Sequence, residues 1–93
     1  RGLVGTSVSQ IRWWLEQGKR EGRSHVIVVF DNHDREDFPV FVSPGVNPRE
    51  IAKPYDNQDN YKLMEVYDLR MDFEEQLKPF INVFNWGPEW PAK

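Results

Sequence analysis

The residues best suited to chemistry are concentrated in one acidic segment, residues 31–37. Its carboxylates and its imidazole belong to Asp31, His33, Asp34, Glu36 and Asp37. Clustered carboxylate oxygens are the ligands that Mg²⁺ and Ca²⁺ prefer, so the segment is a candidate site for a divalent metal ion or a small ligand. It lacks the length and the glycine of an EF-hand loop, and Arg35 offsets part of its charge. The favoured interpretation is a solvated turn in which Asp and Asn side chains bind their own backbone.

The two histidines, His25 and His33, are the other candidates for catalysis. They stand at opposite ends of one predicted strand, about 20 Å apart at ~3.3 Å per residue, so they cannot share a metal ion. Ser7, Ser24 and Ser43 lie near the ends of predicted elements, and none sits in the G-x-S-x-G turn of a hydrolase. A small hydrolase is therefore a third interpretation, and no catalytic residue is assigned.

Glu65 is a third candidate, because Tyr61 and Tyr67 stand at alternate positions around it. Alternate residues of a strand point to the same face, so the carboxylate would lie between two aromatic rings. Such a site can bind a cationic or hydroxylated ligand. The ordinary alternative is that Glu65 pairs with a neighbouring Arg or Lys, or points to solvent.

These residues are positioned by residues 26–30, which are apolar at every position. A strand that is apolar on both faces requires cover on both faces or a central place in a sheet. After the polar turn, residues 38–42 predict the second strand of a hairpin. Pro39 cannot donate to a strand ladder, so we expect this second strand at the edge of the sheet.

Three capping patterns predict helices around these strands. The cap residues are Ser7, Asn47 and Asp72. The first helix is expected to run to about Glu21, and Gly18 on its apolar side marks either a close approach to the sheet or an earlier helix end. Pro54 ends the second helix after barely two turns. Residues 61–69 predict a third strand, with a helix as the alternative.

The element order α-β-β-α-β-α indicates a single small α+β domain over residues 1–93. Its sheet would be three-stranded and mainly antiparallel, with the helices packed mainly on one face. Residues 1–5 show no periodicity and are expected to be flexible or left over from cloning. The aromatic tail, residues 82–93, is expected to pack on the body of the domain or on a neighbouring molecule.

Composition limits the partners. The net charge of −3 and the pI of about 5.3 argue against binding to a nucleic-acid backbone. The chain contains no cysteine, which excludes disulfides and thiolate metal sites. No apolar run approaches the ~20 residues that span a bilayer, and no signal peptide is visible. We therefore expect a cytoplasmic protein with no cofactor and with no nucleic-acid or membrane partner.

The aromatic content is high for so short a chain, at 14% with four tryptophans. Large exposed aromatic side chains are the usual anchors of protein interfaces. Trp13 falls outside the apolar face of the first helix by roughly 100°. The residues expected at an interface are Trp13, Phe38, Phe41, Trp86 and Trp90. Because a three-stranded sheet leaves an open edge, pairing of two edges is a route to a homodimer.

The sequence also resembles small uncharacterised proteins of phages and other mobile elements, including gene cassettes. The resemblance covers roughly residues 10–78. Its elements are a Trp-bearing helix with Trp14, the strand His25–Asp31, the segment Glu36–Val42 and the later residues 64–69. It implies an accessory protein of a mobile element and carries over no activity and no site residue. The sequence therefore predicts a non-enzymatic protein that acts through protein–protein contacts, with a ligand or metal site at the acidic segment as the alternative.

Overall fold

The computed structural model describes residues 7–56, 59–78 and 83–88 and confirms the predicted α+β architecture. Three antiparallel strands form one sheet in the order β2-β1-β3. The elements are α1 (Val8–Arg20), β1 (His25–Asp31), β2 (Glu36–Val42), α2 (Pro48–Ala52), β3 (Tyr61–Asp68) and α3 (Phe73–Leu77), with a 3-10 turn at Lys53–Tyr55. The segment that begins at Tyr61 is a strand, so the helical alternative is wrong.

β1 occupies the centre of the sheet because both of its faces are apolar. Val26 and Val28 join the apolar cluster that α1 and α3 cover. Ile27 and Val29 join the cluster on the opposite face, to which α2 contributes Ala52. These β1 side chains have no exposed surface. The helices therefore lie mainly on one face, with the short α2 on the other.

Each helix begins at its predicted cap. The side chains of Ser7, Asn47 and Asp72 accept hydrogen bonds from the backbone N–H groups of Gln10, Arg49 and Glu74, respectively. α1 and α3 are also joined on their outer side, where the Arg12 guanidinium donates two 2.8 Å hydrogen bonds to Glu74. These bonds hold the pKa of Glu74 below its ordinary value. Since both side chains are well exposed, we assign the pair an orienting role rather than a large stabilising one.

Gly18 marks a close approach of α1 to the sheet. A Cβ placed on it would lie 2.9 Å from Leu69 Cδ1 and 3.2 Å from Phe41 Cδ1. α1 continues past this position to Arg20, so Gly18 does not end the helix. The helix ends instead before Gly22, whose φ of 74° is a left-handed conformation that glycine adopts without strain.

The hairpin turn is shorter than predicted, and β2 begins at Glu36 rather than at Phe38. Asp31 and Glu36 are directly paired across the hairpin, which leaves residues 32–35 as the turn. Arg35 adopts a φ of 59°, the left-handed conformation that brings the chain back into the ladder. No helix among residues 7–56, 59–78 and 83–88 is long and apolar enough to cross a membrane.

We predict that Gly18→Ala destabilises the fold by about 1–3 kcal/mol, although alanine favours helices. The added methyl group must displace Leu69 and Phe41 in a packed core, and overpacking costs more than helix propensity returns. Urea unfolding measures the change, with Glu16→Ala on the exposed side of α1 as the control. A Gly18→Ala protein as stable as the wild type would contradict the close approach.

Candidate functional site

The acidic segment is built as a turn and the start of a strand. The Asp31 carboxylate accepts the His33 N–H at 2.8 Å and the Asp34 N–H at 3.4 Å, so Asp31 caps the turn itself. Glu36 and Asp37 belong to β2. Among the residues that the structure describes, no three His, Asp or Glu side chains are grouped to hold a metal ion. The geometry agrees with the interpretation as a self-bonded turn, and a metal site here stays an untested prediction.

The expectation that Tyr61, Glu65 and Tyr67 share one face is wrong. Between β1 and β3 the register shifts, because Val28 faces Glu65 whereas Val29 faces Leu63. One extra residue of β3 is therefore accommodated in a bulge, which reverses the side-chain alternation. Tyr67 packs in the cluster beneath α1, whereas Tyr61 packs on the opposite face.

Glu65 is buried in the sheet, with 2% of its surface exposed. Tyr61 instead forms an aromatic cluster with Phe38 and Tyr55, in which neighbouring ring centroids lie 5.2 to 6.0 Å apart in edge-to-face contact. The arrangement offers no opening in which a ligand would touch Glu65 and both tyrosines together.

A buried polar centre, which sequence analysis did not predict, lies where β1 starts and β3 ends. We define it as Ser24, His25, Asp68, Arg70 and Gln76. The Ser24 hydroxyl lies 2.8 Å from His25 Nδ1, and Asp68 Oδ2 lies 3.9 Å from His25 Nε2. Arg70 closes the centre from the solvent side, with its guanidinium 2.9 and 3.0 Å from the Asp68 carboxylate.

The polar centre contains the residue types of a Ser-His-Asp hydrolase in an unsuitable arrangement. In such a triad the base contacts the serine through Nε2 and the carboxylate through Nδ1. Here the contacts of His25 are exchanged, with the serine at Nδ1. Ser24, His25 and Asp68 are exposed by only 9%, 1% and 2%, so a substrate carbonyl has no access to the hydroxyl. The centre is suited to joining strand ends rather than to hydrolysis.

Asp68 remains ionised inside the protein because its surroundings compensate for its burial. Burial alone would raise the pKa of Asp68, but hydrogen bonds from the side chain and backbone of Arg70 lower it. The electrostatic attraction of His25 and Arg70 lowers it further, and the resulting pKa lies below the ordinary value. A buried carboxylate that is ionised and hydrogen-bonded is expensive to leave without its partners.

We predict that Asp68→Asn lowers the free energy of unfolding by about 2–4 kcal/mol at pH 7. Because the pKa of folded Asp68 is depressed, its contribution is complete above about pH 5 and is lost progressively as the pH falls through the ordinary Asp pKa toward the depressed one. The stability difference between wild type and variant should therefore shrink at about pH 3. Urea unfolding at both pH values measures it, with exposed Asp59→Asn as the control. An equal difference at both pH values would contradict the ionised state of Asp68.

Gln76 joins the polar centre to the outer edge of β3. Its side-chain amide bonds to both backbone groups of Asp68, as a neighbouring strand would. Oε1 accepts the Asp68 N–H at 2.9 Å, and Nε2 donates to the Asp68 carbonyl at 2.8 Å. The same Oε1 accepts the Asn85 side-chain amide at 2.8 Å. Next to it, the Val66 N–H donates to the Val83 carbonyl and the Asn85 N–H donates to the Val66 carbonyl. The outer edge of β3 is therefore covered at Val66 and Asp68 by residues 83–85 and Gln76.

We predict that Gln76→Met, which keeps the length of the side chain, costs about 1–3 kcal/mol because it leaves buried backbone groups of Asp68 unbonded. The loss should also loosen residues 83–85, so the Val66 and Asn85 amide protons should exchange faster with solvent. Hydrogen exchange followed by NMR measures this, and Glu75→Met on the exposed side of α3 is the control. Unchanged exchange at both amides would mean that Gln76 does not secure this edge.

The aromatic residues that were predicted to lie at an interface differ in their exposure and packing. Trp13 is 54% exposed on the outer side of α1. Trp86 packs back on the body of the domain, where it stacks on Phe84 and the Arg49 guanidinium lies 4.5 Å from its ring centroid. Phe38 and Phe41 are half-buried on β2. Trp90 lies outside the described residues.

The direction of the backbone groups of β2 follows from the hydrogen bonds at the two ends of β1. The Asn32 N–H donates to the Asn60 carbonyl, and the Leu69 N–H donates to the Ser24 carbonyl. Even-numbered residues of β1 therefore direct their N–H and C=O groups toward β3, and odd-numbered residues direct theirs toward β2.

The register then assigns each residue of β2 to one side. Val40 pairs with Ile27, so its backbone groups bond to β1, as do those of the other even-numbered residues of β2. The odd-numbered residues Asp37, Pro39 and Phe41 direct theirs to the outer edge. Pro39, which has no N–H, therefore costs the sheet no hydrogen bond. No described strand pairs with this outer edge, which confirms the prediction that β2 is an edge strand.

Comparison with known proteins gives no relative: no family model, no curated protein and no solved structure matches the chain. The candidate site therefore rests on geometry alone. The sequence held one signal for the polar centre, because Gln76 is a polar residue on the otherwise apolar stripe of α3.

Proposed function

We propose that this chain is a small non-enzymatic accessory protein that acts through protein–protein contacts, and that the outer edge of β2 is its binding surface. One observation carries the proposal: the two edges of the sheet differ in whether other described residues hydrogen-bond to them. The edge of β3 is bonded by residues 83–85 and Gln76, whereas no described strand pairs with the edge of β2. A row of outward backbone groups is a template for an added strand.

The side chains of β2 support the same proposal. Residues 38–42 are Phe, Pro, Val, Phe and Val, with no charge among them. Natural proteins commonly protect an edge strand with lysine or another charge, or with proline. Here Pro39 removes one backbone donor from the edge. Phe41, the next outward-facing residue, directs both its N–H and its C=O outward. Trp13, which is 54% exposed on α1, offers a second anchor for a protein partner.

The competing functions have less support. A hydrolase would need Ser24 and His25 to reach a substrate, and both are buried. A ligand site at Glu65 would need a face that the bulge in β3 divides between two clusters. The accessory role in a mobile element and the place in the cytoplasm are part of the proposal, and they rest only on the resemblance described in the sequence analysis.

The proposal predicts that extended peptides bind at β2 and shift the amide signal of Phe41. The test is NMR of the ¹⁵N-labelled full chain with nonapeptides of varied sequence, and separately with nucleotides, divalent metal ions and short oligonucleotides. The Phe41 amide, which faces outward, should shift strongly with some peptides. The Val40 amide, which is bonded to β1, is the internal control and should shift less.

Two results would overturn the proposal. One is that none of the peptides, including the chain's own residues 37–45, shifts the Phe41 amide. The other is that metal ions or nucleotides shift residues 31–37 while the peptides have no effect, which would make the acidic segment the functional site.

A further inference from the structure

Resting on the proposed function, we infer that the strand which pairs with β2 is β2 of a second copy of this chain. The two strands run antiparallel, and the two-fold axis of the dimer passes beside Phe41. The partner strand is thereby identified. Three features of the described residues support this pairing: the outward backbone groups of β2, the charges at the two ends of β2 and the covered positions on the edge of β3.

The outward backbone groups favour an axis at Phe41. Phe41 directs both an N–H and a C=O outward, whereas Pro39 directs only a C=O. When two copies of Phe41 face each other, each N–H donates to the carbonyl of the other, which forms one closely spaced pair of an antiparallel ladder. An axis at Pro39 would bring two residues together that have no donor to exchange.

Ser43 completes this register. With the axis at Phe41, the Pro39 carbonyl of one copy faces the Ser43 N–H of the other copy. The Ser43 carbonyl would find no donor on Pro39, and it needs none. It already accepts the Val46 N–H at 3.1 Å and the Ser24 hydroxyl at 3.3 Å within its own chain. The Ser43 carbonyl, which would face the missing donor of Pro39, therefore already has hydrogen-bond partners in its own chain.

The charges at the two ends of β2 favour the antiparallel direction. The end that follows the hairpin turn is net acidic, since exposed Asp34 and Glu36 flank a single exposed Arg35. At the other end stands Arg23, whose guanidinium donates to the Ser43 hydroxyl at 2.9 Å, lies 3.6 Å from the Glu21 carboxylate and is more than a third exposed. Antiparallel pairing directs the acidic end of each copy toward Arg23 of the other. Parallel pairing would bring the two acidic ends together, which is unfavourable.

The bonds to Val66 and Asp68 at the edge of β3 disfavour growth of the sheet beyond a dimer. An isologous contact uses the same edge of both copies and leaves a six-stranded sheet that ends in β3 on both sides. Val66 and Asp68 of each β3 already bond to residues 83–85 and Gln76. Addition of a further strand at these two positions of β3 is therefore blocked, which favours a closed pair over a fibre.

The test is the association of the full chain, measured by size-exclusion chromatography with light scattering and by analytical ultracentrifugation over a concentration series. We expect a concentration-dependent dimer. Arg23→Glu and Glu36→Arg should each raise its dissociation constant about tenfold, since each removes two symmetry-related charge pairs. The double variant should return to near the wild-type value. Arg20→Glu on α1 and Trp13→Ala are the controls and should leave it unchanged.

Two matched peptides test the backbone register directly. Both comprise residues 37–45 of this sequence, one N-methylated at Phe41 and the other at Val40. The first loses the donor that meets Phe41 of the chain, and the second loses a donor on its opposite edge. The Val40-methylated peptide should shift the Phe41 amide of the chain and dissociate the dimer, whereas the Phe41-methylated peptide should bind at least about tenfold more weakly.

A chain that is monomeric up to millimolar concentration overturns the inference, and so does equal binding of the two methylated peptides. A dimer that Trp13→Ala dissociates, or one that the charge reversals leave unchanged, also overturns it. The proposed function is judged separately, by the response of the Phe41 amide to peptides of other sequence. If those peptides bind to a monomeric chain, the function stands with a foreign partner. If the chain is monomeric and no peptide binds, residues 37–45 of the chain included, both proposals fail.

Discussion

The burial of β1 on both faces is the constraint on which the rest of the structure depends. Each fully buried Val or Ile of this strand contributes about 1.5–3 kcal/mol, but only if apolar side chains cover it. α1 and α3 supply that cover on one face, and α2 with its aromatic neighbours supplies it on the other. Gly18 exists in α1 because the helix must come close enough to fill the space above Val26. A small chain reaches a two-sided core in this way, by placing its most apolar segment in the middle of three strands.

That arrangement creates a difficulty at the start of β1, where strand ends meet and backbone groups are removed from water. The Ser24 N–H donates to the Val42 carbonyl at the end of β2, and the Ser24 carbonyl accepts from Leu69 just after β3. His25 and Asp68 face each other across the strands at the same corner. The polar centre is the means by which buried donors and acceptors are satisfied there, since unsatisfied ones cost about 1–3 kcal/mol each. Its resemblance to a catalytic triad is a consequence of that requirement.

Local patterns in the sequence predict the elements, their order and the position of β2 at the edge. The continuous apolar run, the cap residues and Pro39 each constrain the backbone next to them, and they need no knowledge of distant contacts. The bulge in β3 escaped prediction because no glycine or proline marks it, and it moved Tyr61 to the other face. The polar centre escaped prediction because Ser24, Asp68 and Gln76 are brought together only by the folded sheet. Gln76 on an apolar stripe indicated that something polar was buried, but it did not indicate the partner.

At an edge of the sheet, the place of a residue in the odd-even alternation decides whether its backbone N–H and C=O groups face the neighbouring strand or the open edge. A strand directs the backbone groups of alternate residues to opposite sides, so a proline is harmless to the ladder only at alternate positions. Pro39 occupies an outward position, where it removes a donor from the edge and none from the β1 ladder. Shifted by one residue, the same proline would break the hairpin and leave the edge fully able to pair. The placement therefore preserves the sheet and removes one donor from the open edge, which disfavours any register that requires a donor at Pro39. An edge that disfavours some registers distinguishes between partners better than an unmodified apolar edge, which would accept almost any strand.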